Sequence, residues 1–228
     1  MDVDIEKLLH VENELKSQRE NATYSVGLDA KVNMLKYLQV QTVLQYEAAY
    51  DALYYELNKE GGLECLRNIA PGGTGDPLQP KVLNLHDYSN EDDRLAKQLR
   101  FYLADAELAK KRLDELVTNA AEGLETCDVH CVDVKSLEST RRKASQFCGG
   151  DVRKVADMAR VTVICDTPEA LKQVFSKIMG LLQPQDVLRV KNGFNSDWMP
   201  GGYRDVKVNP VVNEHLCEIS CSSATSLH

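Results

Sequence analysis

The feature that most constrains the fold of this chain is a change in the pattern of apolar and β-branched residues after Gly123. From there the sequence alternates short segments rich in β-branched residues with two helical stretches, which is typical of a mixed α/β domain. The predicted strands lie in the segments CDVHCVDV, RVTVICD, QDVLRVKNGF, YRDVKVNPVV and HLCEISC. The predicted helices lie around Ser139 to Phe147 and Pro168 to Leu182. Thr167 is the expected N-cap of the second helix, and Pro184 closes it.

The residues before Gly123 read as helical. Apolar residues at steps of three and four predict a short helix over residues 4–15, a long helix that begins after an N-cap at Asp29, and a second long helix after Asn90. Between the long helices, residues 61–89 hold the turn-rich run PGGTGDPLQP, which predicts a long, flexible loop. Two long helices joined by a loop suggest a helical hairpin of coiled-coil character.

The predicted organisation is therefore α+β. Residues 1–125 form a helical region with a loop at about 61–89, residues 126–221 form a small mixed-sheet α/β domain, and residues 222–228 form a tail. Several roles for the helical region are open, since an apolar stripe alone does not choose among them. It could self-associate, bind a protein partner, pack on the α/β domain, or regulate access to that domain.

Charge and composition exclude several classes of protein. The formal net charge of -8 argues against broad nucleic-acid binding, because phosphate contacts need clustered Lys and Arg. No apolar run is long enough to span a membrane, and the first residues do not resemble a signal peptide. The seven cysteines are an odd number spread through apolar patterns, so we expect reduced thiols and a soluble, cytoplasmic protein.

Polar and charged residues recur in order through the α/β part. Lys135 lies where a predicted strand leads into a basic helix and Lys143 lies within that helix, so both could meet triphosphate oxygens. Asp157 stands just before the predicted strand RVTVI, and Glu218 stands on a strand expected to be its neighbour. Because Mg²⁺ prefers a few carboxylate oxygens together with substrate phosphates, the pair Asp157 and Glu218 is a candidate magnesium site.

This pattern resembles the synthetase domain of the RelA/SpoT family, which has a nucleotidyltransferase-like fold and moves pyrophosphate from ATP to the 3′ hydroxyl of GDP or GTP in guanosine tetraphosphate metabolism. The resemblance covers about two fifths of the chain. It implies that Mg²⁺ is the cofactor and that Asp157 and Glu218 are catalytic, metal-binding residues. It also implies that Tyr203 stacks on the acceptor base. The other implied nucleotide-binding residues are Lys135, Ser139, Lys143 and Arg160.

The chain also departs from the family pattern. Asp133 stands where the first motif has Arg, Lys207 where the Gly-Tyr loop usually has His, and Ser220 where a Gln follows Glu-Ile. Each candidate residue also has a structural interpretation: Lys135 and Lys143 as solvated surface charges, Asp157 as a cap or a partner of Arg160, and Tyr203 as a core aromatic. Glu218 is harder to explain this way, since a buried carboxylate needs a partner.

Two hypotheses follow. The first is a Mg²⁺-dependent pyrophosphokinase of the GTP diphosphokinase type that acts on ATP and GDP or GTP, because phosphoryl chemistry depends mainly on positioning and charge neutralisation. The second is a catalytically degenerate nucleotide-binding or protein-interaction module, which the substitutions at Asp133 and Ser220 favour.

Overall fold

The computed structural model describes residues 26–59, 62–73, 75–85, 90–195 and 203–223. The helix predicted at residues 4–15 lies outside these ranges. The chain divides into two compact units. One comprises residues 1–52 with 200–202, and its described part is helical. The other comprises residues 53–199 and 203–228, contains the whole sheet, and includes residues 53–125 that the sequence assigns to a separate helical region.

Five α-helices are present in the described residues: α1 Val26–Lys59, α2 Glu64–Arg67, α3 Glu91–Ala121, α4 Leu137–Phe147 and α5 Pro168–Leu181. Helix α1 is described from Val26 onward and Asp29 lies within it, so the expectation that Asp29 is its N-cap is wrong. None of the described helices has the length and the apolar character needed to cross a bilayer.

Local capping explains where α3 and α5 begin. Asn90 accepts a hydrogen bond from the Asp92 N–H at 2.9 Å, as its predicted position at the start of α3 requires. Thr167 accepts one from the Ala170 N–H at 3.1 Å, and Pro168 follows it in the first turn of α5. Gly123 has φ +76°, a left-handed conformation that ends α3. Both predicted caps are confirmed.

A mixed sheet forms the centre of the sheet-containing unit, and the predicted α+β fold class with a mixed sheet is confirmed. Its described strands are β1 Cys127–His130, β2 Arg160–Cys165, β3 Val187–Asn192, β4 Asp205–Val212, β5 His215–Leu216 and β6 Glu218–Ser223. The order is β1-β2-β6-β4-β3, with β5 paired to β4. Strands β2 and β6 run parallel, and the other pairs are antiparallel.

The sheet buries one face under helices α3 and α5. In β2, for example, Val161 and Val163 are fully buried while Arg160 and Thr162 are half-buried. Because side chains alternate along a strand, the row Val163, Cys221 and Val206 lies on one face and the row Thr162, Ser220 and Lys207 lies on the other. Along α3 the buried Ala106 and Ala109 let the helix approach its neighbours closely. The apolar core of these strands therefore lies on the face that the helices cover, while buried polar residues such as Asp205 and Ser220 lie on the other face.

Two strands differ from their predicted extents. The segment CDVHCVDV pairs only from Cys127 to His130, and residues 131–136 cross to α4 without regular structure. The segment HLCEISC divides at Cys217 into β5 and β6. A turn at Asn213 and Glu214, both with positive φ, folds β5 back onto β4, whereas β6 pairs with β2 and β4. Strand β6 continues through Ser223, two residues into the segment assigned to the tail.

The predicted loop between the long helices makes specific contacts with the sheet-containing unit. We call residues 68–73 and 75–85 the strap. Gly72 forms an isolated antiparallel bridge with Val190 of β3. Gly73 has φ +82°, and a Cβ there would come within 2.1 Å of the Leu188 carbonyl oxygen, so only glycine fits. The strap is thus bound to β3, which the turn-rich sequence did not indicate.

Gln79 anchors the middle of the strap and is 2% exposed. Its Nε2 donates to the carbonyl oxygens of Val155 and Leu216, each at 3.2 Å, and its Oε1 accepts from the Leu216 N–H at 2.9 Å. Next to it, fully buried His215 lies with its Nδ1 3.3 Å from Asp105 Oδ2. Asp105 also accepts from Lys81 at 2.5 Å. Polar contacts therefore join the strap, α3 and β5.

We expect Gln79→Ala to lower the free energy of unfolding by about 1–3 kcal/mol, because it leaves the buried Leu216 N–H without its acceptor. Urea denaturation followed by circular dichroism measures the change. The exposed Gln183 offers a matched control, and Gln183→Ala should change stability by less than about 0.5 kcal/mol. Equal effects of the two substitutions would show that the strap contact is not specific.

Candidate functional site

The chain between β1 and α4 positions the first predicted lysine. The Lys135 N–H donates to the Met158 carbonyl oxygen at 2.9 Å, which holds Lys135 beside the residue that follows Asp157. Ser136 then caps α4 by accepting from the Ser139 N–H at 3.2 Å. Lys143 lies further along the same helix. One backbone contact and one helix therefore bring both lysines toward Asp157.

Asp157 is a buried carboxylate, 6% exposed, in the segment just before β2. Its Oδ2 lies 3.0 Å from Lys135 Nζ and 2.8 Å from Lys143 Nζ. Its Oδ1 is also buried, and it has no hydrogen-bond partner among the residues that the structure describes. Since nearly all buried polar atoms are bonded, this oxygen is available to a ligand.

Burial is the largest influence on the ionisation of Asp157 and by itself would raise the pKa of the carboxyl group. Lys143 and then Lys135 outweigh it through charge and hydrogen bonding, so the pKa of Asp157 is held below its ordinary value. The group is therefore ionised at neutral pH. The two lysines are not surface charges that happen to lie nearby, because they compensate a charge that water cannot reach.

A second group of polar residues lines a concavity of about 240 Å³ on the polar face of the sheet. Three of the predicted residues line it: Arg160, Tyr203 and Glu218. Arg160 and Glu218 are the first residues of the parallel strands β2 and β6 and lie opposite each other in register. Other residues of its lining are Val132, Val161, Thr162, Asp205, Lys207 and Ser220.

Asp205 and Ser220 were not among the residues that the sequence singled out as ligands. Asp205 is 2% exposed and accepts a hydrogen bond from Ser220 Oγ at 2.7 Å. Lys207 Nζ lies 3.4 Å from the same carboxylate. The signal available in the sequence was the alternation of charged and apolar residues in Asp205–Val208, which puts both charges on one face of β4.

Lys207 and Tyr203 differ in how burial acts on them. Burial, the largest influence on Lys207, would lower the pKa of its ammonium group, but Asp205 and Glu218 together raise the pKa above its ordinary value. Burial raises the pKa of Tyr203, and Asp205 adds to the increase. Lys207 therefore remains a cation and Tyr203 a neutral phenol inside the concavity.

The structure thus places the predicted residues in two groups. Lys135, Lys143 and Asp157 form one ion cluster, while Arg160, Tyr203 and Glu218 line the concavity. The Glu218 N–H donates to the Ala159 carbonyl oxygen at 3.0 Å, so the start of β6 adjoins the segment that carries Asp157. Among the described residues, no set of three or more His, Cys, Asp and Glu side chains is grouped as a metal site.

Ser139 is half-buried in the first turn of α4, where its backbone N–H donates to Ser136 Oγ. The nucleotide contact that the resemblance implies for its side chain stays a prediction. Asp157 takes Lys135 and Lys143 as its ion-pair partners, so the alternative pairing with Arg160 is not needed to explain its burial.

Comparison with known proteins gives partial likenesses. No protein-family model and no curated protein matches the chain. The chain is similar to a chain in the crystal structure of the complex between the type VI effector Tas1 and its immunity protein, at 25% identity and a TM-score of 0.46. That match covers 56% of this chain and 62% of the other.

A second likeness is to small alarmone synthetase 1 from Bacillus subtilis, bound to AMPCPP, at 16% identity and a TM-score of 0.35. It covers 56% of this chain and 71% of the synthetase. Both superpositions are partial, so the functional case depends on this chain's own residues.

We expect Asp157 to make stability fall in acid. Its pKa is lower folded than unfolded, so its contribution is fully present above the unfolded pKa of about 4 and is lost as pH falls through the folded value. Thermal unfolding between about pH 6 and pH 3 should therefore show a smaller loss of stability for Asp157→Asn than for the wild type. The exposed Asp166 supplies the control Asp166→Asn, whose pH profile should follow the wild type. Parallel profiles for all three proteins would contradict this assignment.

Proposed function

We propose that this chain is a RelA/SpoT-like nucleotide pyrophosphokinase that transfers pyrophosphate from ATP to the 3′ hydroxyl of GDP or GTP. The observation that carries the proposal is the ion cluster: a buried, ionised Asp157 held by two lysines, with one carboxylate oxygen left unbonded in the described part of the chain. A cluster of this kind combines the two groups that polyphosphate chemistry needs, namely cations for phosphate oxygens and a carboxylate for a metal ion.

Asp157 fits the magnesium ion that the resemblance implies. Its buried Oδ1 has lone pairs that no described donor uses, and Mg²⁺ takes carboxylate oxygens together with phosphates and water. Glu218 would be the second ligand, because the start of β6 is bonded to Ala159, two residues after Asp157. The ion would supply charge neutralisation at the phosphate oxygens of the donor.

Lys135 and Lys143 would change partners when a nucleotide binds. Both ammonium groups now contact the same Asp157 oxygen. Polyphosphate oxygens are strong acceptors for lysine, so a bound nucleotide would draw the lysines away and release Oδ2. The side chains can make this move because Lys143 is about one-third exposed and lysine stems are flexible.

The concavity beside the cluster would hold the acceptor nucleotide. Tyr203 offers a neutral aromatic ring for stacking on a base, and Arg160 and Lys207 offer positive charge for its phosphates. Asp205 and Ser220 are hydrogen-bonded to each other, so they would form the floor of the concavity instead of contacting the ligand.

A nucleotide-binding module without turnover is the second candidate. Ser220 favours it, because this residue stands where the family has Gln and its hydroxyl is committed to Asp205. Such a module would keep the lysine contacts and lose the step of group transfer.

We expect the purified chain with ATP, GDP or GTP and Mg²⁺ to form guanosine tetra- or pentaphosphate, detected by anion-exchange chromatography. Replacing Asp157 with Asn, Lys143 with Ala, or Glu218 with Gln should each lower the rate by about 100-fold or more. The first and third changes remove a carboxylate that would hold Mg²⁺, and the second removes a cation for the phosphate oxygens. Lys97→Ala, at an exposed position of α3, should leave the rate unchanged.

Calorimetry separates the two candidates. Saturable nucleotide binding that needs Mg²⁺ and is weakened by Glu218→Gln, together with product formation, would support the pyrophosphokinase. The same binding without product would favour the module, and no binding of ATP, GDP or GTP would overturn both.

A further inference from the structure

Two cysteines of the sheet face each other on neighbouring strands. Cys127, the first residue of β1, lies opposite Cys165, the last residue of β2, in antiparallel register. Their Sγ atoms are 3.0 Å apart. Cys127 is half-buried and Cys165 is fully buried. This pair lies outside the candidate nucleotide site and plays no part in the proposed function.

The backbone pattern identifies these residues as a non-hydrogen-bonded pair. The Cys127 N–H donates to Leu124, and the neighbouring ladder bond runs from the Asp166 N–H to the Thr126 carbonyl oxygen at 2.9 Å. Bonded and non-bonded pairs alternate along an antiparallel ladder, and the non-bonded pairs have Cα atoms only about 4.5 Å apart. That separation is at the short end of the range of about 4.4–6.8 Å that disulfides span.

We propose that Cys127 and Cys165 form a reversible intramolecular disulfide when the chain meets a hydroperoxide. The Cys127 thiolate attacks one peroxide oxygen, the O–O bond breaks, and protonation of the leaving oxygen gives a sulfenic acid and one molecule of water or alcohol. The Cys165 sulfur then attacks the Cys127 sulfur, the S–O bond breaks, and the thiol proton leaves with the hydroxyl as water. Both sulfurs are oxidised by one electron each and the peroxide is reduced by two. A dithiol reverses the change by exchange.

The different surroundings of the two sulfurs set this order. Cys127 is accessible to a small oxidant, whereas Cys165 is fully buried. Burial, followed by the contact with Cys127, raises the pKa of the Cys165 thiol far above its ordinary value. Cys165 is therefore a poor first nucleophile and serves as the resolving thiol, already 3.0 Å from the sulfur that it attacks.

The proposed bond would close the chain from residue 127 to residue 165 into a covalent loop. That loop contains α4 together with Lys135, Lys143 and Asp157. Linking the two strands removes conformations from the unfolded chain, and in the entropic account the gain increases with loop length. The oxidised protein should therefore be more resistant to unfolding than the reduced one.

Mild hydrogen peroxide followed by thiol titration under denaturing conditions tests the proposal. The oxidised wild type should titrate two fewer thiols than the seven of the reduced chain, and its monomer mass should fall by about 2 Da. Peptide mapping should show Cys127 linked to Cys165. Cys131→Ser, at an exposed position, should keep this cross-link, whereas Cys127→Ser should lose it.

A second measurement does not depend on mapping. Oxidation should raise the Tm of the wild type by about 5–10 °C, and dithiothreitol should return it to the starting value. Cys127→Ser, at a half-buried position, should show no rise. A cross-link that uses another cysteine, such as the buried Cys221, or oxidation without any intramolecular cross-link would overturn the proposal.

Discussion

The parallel pairing of β2 with β6 supports the rest of the architecture. It joins two segments that are far apart in the sequence and sets Arg160 beside Glu218 and Val161 beside Ile219. Helices α3 and α5 cover the apolar side of this pair. Since side chains alternate along each strand, burying one face commits the intervening polar residues to the other. The row Thr162, Ser220 and Lys207 across three strands is a direct result of that register.

The ion cluster at Asp157 shows how the protein accommodates a buried charge. An isolated carboxylate in this position would be neutralised by a raised pKa, but two lysines from the segment that leads into α4 and from α4 itself keep it ionised. Lysine suits this arrangement, because its ammonium is a compact charge on a flexible stem and can move between partners. The unbonded Oδ1 leaves the cluster incomplete within the described residues.

A second polar network lies between the strap, α3 and β5. His215 is fully buried, and its burial lowers the pKa of the imidazole while Asp105 opposes the change. Gln79 bonds both backbone groups of Leu216, and Lys81 reaches Asp105. Fully bonded networks of this kind specify one arrangement of the chain, because any shift leaves a buried polar group unpaired. The network explains why the strap, although rich in Pro and Gly, adopts one defined backbone path.

The local features of the fold follow from the amino-acid sequence alone. The sequence predicted the α/β alternation, the caps at Asn90 and Thr167, and the placement of Asp157 before one strand and of Glu218 on its neighbour. Caps and periodicities depend on residues within one or two turns of each other, so a single sequence carries them. The roles assigned to the site residues stay predictions.

Which distant groups meet depends on the three-dimensional packing of the chain. It brought Lys135 and Lys143 to Asp157, buried Asp205 against Ser220, bound Gln79 to β5 and set Cys127 opposite Cys165. The residues of each such contact are separated by intervening chain whose path no local preference specifies. Their meeting depends on which strands pair, in which register, and on the burial of one sheet face, and these are properties of the whole packed domain.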